Sequence, residues 1–62
     1  MQRFQSWARW PHPEVRLGNT LNESTDEHLS EQAAWAVVQG LRREGFGGEG
    51  RVFPLESGVR PL

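Results

Sequence analysis

The sequence predicts a small α+β domain. One main helix at about residues 30–44 packs on a sheet of two or three short strands, at about 14–18, 51–56 and 58–60, behind an aromatic N-terminal segment. Three observations lead to this expectation. The stretch 29–46 carries a helix start signal, a periodic apolar face and a stop signal. Short runs around Val15 and Leu17, and around Val52 and Phe53, have the composition of strands. A chain of 62 residues makes at most one domain, and a domain of that size buries only about 60% of its unfolded surface.

The first ten residues read MQRFQSWARW. Phe4, Trp7 and Ala8 stand at helical spacing, and Pro11 pushes Trp10 out of the helical region, so a short helical turn is expected; an extended segment fits nearly as well. The three Trp and three Phe are a heavy aromatic load for so short a chain, and the N-terminal rings are expected to complete the small core. Pro11-His12-Pro13 then forces an extended connection. Val15 and Leu17 alternate with Arg16 as in a half-buried strand, and Gly18-Asn19 signals a turn. Residues 19–26, NTLNESTD, are turn and cap formers around the single apolar Leu21, which predicts a surface loop.

Ser30 suits the N-cap of the helix, with Leu29 placed to pack on Ala34; Ser24 and Glu27 have the spacing for an alternative, earlier start. At about 100° per residue Ala33, Ala34, Val37, Val38 and Leu41 share one side, opposite Gln32, Gln39 and Arg43. Trp35 lies at the margin of that stripe, near Glu31 and Arg42, and is expected to be partly exposed. Gly45 fits a left-handed C-terminal position, after which Phe46 can fold back on Leu41 as in a Schellman motif. Asp26, Glu27 and Glu31 near the start and Arg42 and Arg43 near the end are expected to oppose the helix dipole.

The glycines of GFGGEG, 45–50, invite comparison with phosphate-binding loops. Those loops precede a helix, where backbone N–H groups face the anion, whereas these follow a helix end, where carbonyls do. A cap and a flexible connection are the expected role. Beyond them Pro54 confines the 51–56 strand to an edge or a bulge, and Ser57-Gly58 is expected to turn the chain into a last piece at 58–60.

Composition removes several functions. Without cysteine there is no disulfide framework or thiolate metal site. His12 and His28 lack the spacing of a zinc site, so no metal and no cofactor is expected. No nucleophile, base and orienting group fall in a recognisable pattern, and no enzyme activity is expected. No run approaches a membrane span, which with the absence of a secretory leader pattern suggests a cytoplasmic protein with no membrane partner. The formal net charge of −1 creates no field for polyanions. All seven basic residues are Arg, and residue types with A/T-rich codons are scarce. A GC-rich bacterial or phage genome accounts for that without phosphate recognition.

What remains is a protein-binding module whose contacts use aromatic and Arg anchors, with Trp7, Trp10, Trp35, Arg42 and Arg43 as the candidate partner-binding residues. One concrete form is a phage- or plasmid-type inhibitor or regulator of a larger complex, of the anti-CRISPR or anti-restriction kind. Two alternatives stand beside it. RFQSWARW interleaves Arg with aromatics, as a single-stranded nucleic-acid surface would, and so small a core would gain from homo-oligomerisation.

Overall fold

A computed structural model describes residues 2–12 and 22–62, which form β1 (Phe4–Arg9), β2 (Glu23–His28), α1 (Glu31–Glu44) and β3 (Glu56–Pro61). The strands make one antiparallel sheet of order β2-β1-β3, and α1 covers one of its faces. The α+β class expected from the sequence therefore holds. Of the expected strands, the piece at 58–60 falls within β3, 51–56 does not form a named strand, and that at 14–18 lies outside the described residues.

The N-terminal segment is the central strand of the sheet, not a helical turn. Its residues fit two periods, and pairing on both sides selects the period of two. Ser6, Ala8 and Trp10 alternate onto the helix-covered face and are buried, Trp10 completely. Gln5, Trp7 and Arg9 face away. On the helix Ala34 and Val38 are equally buried, and with Ala8 and Trp10 they form the core.

Residues 23–28, ESTDEH, were expected to lie in a loop and instead form β2. Such polar residues have little strand propensity of their own, so the pairing with β1, Phe4 opposite His28 through Arg9 opposite Glu23, decides. Two bonds under the helix reinforce it. Trp10 Nε1 donates to Ser24 Oγ at 2.9 Å, and Ser6 Oγ lies 2.9 Å from His28 Nε2.

The helix has the predicted bounds. Ser30 has extended backbone angles and its Oγ accepts from Ala33 N–H at 3.1 Å. Gly45 has φ 70° and its N–H reaches Leu41 O at 2.9 Å. A Cβ there would stand 2.9 Å from Val52 O, so both angle and space call for glycine. Other details differ. Phe46 N–H bonds Val52 O at 2.9 Å rather than returning to the helix, which replaces the Schellman pattern. Leu29 is 68% exposed and makes no staple worth the name.

The expected strand at 51–56 contributes only an isolated bridge between Val52 and Phe46 before β3 begins at Glu56. The bridge closes the glycine loop, whose ends are further tied by Arg51, donating to Gly48 O at 3.2 Å and to Glu44 O at 3.3 Å. Ser57 and Gly58 are not a turn but lie within β3, which absorbs the piece expected at 58–60. Gly58 is opposite Trp7, and a Cβ on it would come within 3.0 Å of the indole. The ring lies across the strand, and a side chain at position 58 would have to push it aside by a few tenths of an ångström.

Candidate binding surface

The five residues singled out in the sequence separate into three places. Trp10 is in the core, so its ring is withheld from any partner. Trp7 is half-buried on the open face of the sheet, with Arg60 Cζ 5.7 Å from the centre of its ring. Around it Arg3 pairs with Glu27 at 3.4 Å, and Arg9 with Glu56 at 3.4 Å and Glu23 at 3.9 Å. Arg60 adds a contact to Glu23 at 3.8 Å and a hydrogen bond to Gln5 Oε1. These charges largely satisfy one another. On the helix Trp35 is half-buried with Arg42 Cζ 5.7 Å from its ring centre, and Arg43 is exposed.

Arg42 also has a structural task. Its Nε donates to Ser57 Oγ and its Nη2 to Ser57 O, both at 2.7 Å. It clamps the C-terminal half of α1 onto β3. The helix accordingly lies mainly over β1 and β3, with sparser contact to β2.

That offset opens a groove of about 310 Å³ between α1 and the β2 side of the sheet. Val37, Val38, Leu41 and Phe46 form one wall, and Ser24 and Asp26 of β2 the other. Val37 was expected on the buried stripe; it is 39% exposed because it lines this groove instead of meeting a strand.

The outer edge of β2 runs beside the groove. Trp10 N–H bonds Asn22 O at 2.6 Å, so in the antiparallel alternation Ser24, Asp26 and His28 exchange backbone bonds with β1. Glu23, Thr25 and Glu27 then direct their N–H and C=O groups outward. The side chain of Asp26 agrees with this, since its Oδ1 accepts the outward Glu27 N–H at 3.0 Å. On the far side Leu62 N–H bonds Arg3 O at 2.9 Å, which points Ser57, Val59 and Pro61 of β3 outward. Ser57 O is taken by Arg42, and Pro61 has no N–H to offer. Among the described residues β3 thus has a blunted edge, and β2 has an open one with a groove behind it.

Two chemical readings can be weighed against this geometry. The pair Ser6 and His28 has the spacing of a nucleophile and its base. Ser6 is only 4% exposed, however, and its hydroxyl joins two neighbouring strands, with Asp26 O a further 3.5 Å contact. The pair reads as a strand tie. Among the described residues no group of three or more His, Asp or Glu side chains is placed to hold a metal ion, and no helix is long and apolar enough to cross a membrane.

Sequence reasoning missed Ser24, Asp26 and Thr25, because nothing in ESTDEH signals a strand. Comparison adds no relative: the chain matches no protein-family model, no curated protein and no solved structure.

Proposed function

We propose that the protein is a small non-enzymatic protein-binding module that acts as an inhibitor or regulator of a larger protein complex. One observation carries this reading: an apolar groove lies alongside an open sheet edge, an arrangement that offers main-chain bonds and a side-chain pocket together. The groove wall of Val37, Leu41 and Phe46 is supplied by residues that the small core leaves partly uncovered. A nucleic-acid role finds less support. Trp10 is inaccessible, and Arg3 and Arg9 are already paired with carboxylates, whereas single-strand binding relies on accessible rings and free cations.

The test places a photo-crosslinking residue at position 37, in the groove, and separately at Gln39, on the exposed side of the helix. In lysate of the native host, a protein crosslinked from position 37 and not from 39 supports the reading. Crosslinking to nucleic acid, or none at either position, contradicts it.

A further inference from the structure

β2, ESTDEH, has no apolar side chain, and none of its residues is buried. Holding a strand in place costs conformational entropy at every residue, and here no hydrophobic burial offsets it. What fastens β2 is the ladder to β1 on one side, the bonds of Trp10 Nε1 to Ser24 Oγ and of Ser6 Oγ to His28 Nε2, and ion pairs of Glu23 and Glu27. Those pairs are solvent-exposed and contribute little. The link from β2 to the helix runs through Leu29, which is 68% exposed. The helix start does not depend on β2 either, because Ser30 Oγ accepts from Ala33 N–H at 3.1 Å within its own first turn. β3 has no such independence: the helix covers it, Arg42 grips Ser57, and Trp7 lies against Gly58.

We infer that β2 is a detachable strap. It leaves β1 as one unit, swinging on Leu29, while α1, β1 and β3 stay packed, and its release is the opening of lowest free energy in the fold. Release removes the Ser24 and Asp26 wall of the groove. It also bares the edge of the central strand, where the backbone groups of Phe4, Ser6, Ala8 and Trp10 had met β2. The groove becomes an open cleft with Val37 and Leu41 of α1 above and the freed β1 edge along its floor. A strap of this kind exists whether or not a partner uses it.

β1 carries the reporters for both of its neighbours. Trp10 N–H bonds Asn22 O, so the Ser6 and Ala8 amides also point to β2; Leu62 N–H bonds Arg3 O, which sets the Gln5 and Trp7 amides toward β3. Amide exchange of the intact folded chain in low urea should therefore alternate along one strand. Protection at Ser6 and Ala8 is expected to be about tenfold lower than at Gln5 and Trp7 and to fall less steeply with urea, since a smaller opening exposes less surface. Two variants sharpen the reading. Arg42→Ala weakens contacts that survive release of the strap, so it should lower protection at Gln5 and Trp7 by about fivefold and leave Ser6 and Ala8 unchanged. Ser24→Ala removes a fastening of the strap itself and should lower all four together by about tenfold. Should either variant fail to fold, the alternation in the unaltered protein still decides. Equal protection and one urea slope at all four amides, faster exchange at Gln5 and Trp7, or an equal loss at all four in Arg42→Ala overturns the inference.

Discussion

β2 and β3 flank the same central strand with the same antiparallel pairing, yet they are held by different means. β3 is held on both faces: the helix lies over one, where Arg42 clamps Ser57 at 2.7 Å, and on the other Gly58 fits flat against Trp7. β2 is held from its neighbour, through Trp10 to Ser24 and Ser6 to His28, both at 2.9 Å. The difference shows how, among the described residues, so small a fold leaves one strand edge uncovered. One helix can cover little more than two strands, and the third must be fastened by polar bonds reaching out from the core strand.

The largest effect is expected where the core and the β2 fastening coincide. Trp10→Ala removes a fully buried ring and the donor to Ser24, a loss of about 3–5 kcal/mol. That equals the whole stability expected of such a domain, so circular dichroism should show an unfolded chain at room temperature. A folded variant would mean that β2 does not depend on this anchor. On the other side, Gly58→Val drives a branched side chain into the Trp7 indole and should cost about 1–3 kcal/mol in urea denaturation. An unchanged midpoint would show that the ring can leave β3.

Arg42→Ala is a smaller perturbation of the same side. Two hydrogen bonds from an exposed side chain are lost, for about 1 kcal/mol, and the Gly58 amide, paired with Trp7 of β1, should exchange faster as β3 loosens. Arg3→Ala, at the other margin, removes a 3.4 Å pair in which both side chains are more than half exposed. Less than about 0.5 kcal/mol is expected, and a larger loss in thermal melts would mean that the ion pairs of the open face help hold β2.

The helix was legible because its signals are local: Ser30, the apolar stripe and Gly45 each act within a few residues. Of the strands, only the 58–60 part of β3 was. Phe4, Trp7 and Ala8 satisfy a helical period while Ser6, Ala8 and Trp10 satisfy a strand period, and only the neighbours on both sides choose between them. β2 was illegible because its six polar residues, ESTDEH, owe their extended form to pairing. Val52 and Phe53 looked like a strand, but Pro54 and the Phe46 bridge end it. Of the binding surface, the proximity of Trp35 and Arg42 followed from helix geometry. The burial of Trp10, the clamp on Ser57 and the groove beside β2 all depend on strand order, which the chain does not announce locally.

Amide hydrogen exchange on the free protein tests most directly whether β2 presents a free edge beside β1. With β1 central and β2 open, the Trp10, Ser24 and Asp26 amides should be protected while Thr25 exchanges at close to the unprotected rate. Protection of Thr25 equal to that of Ser24 and Asp26 would mean that the edge is already taken, contradicting the account.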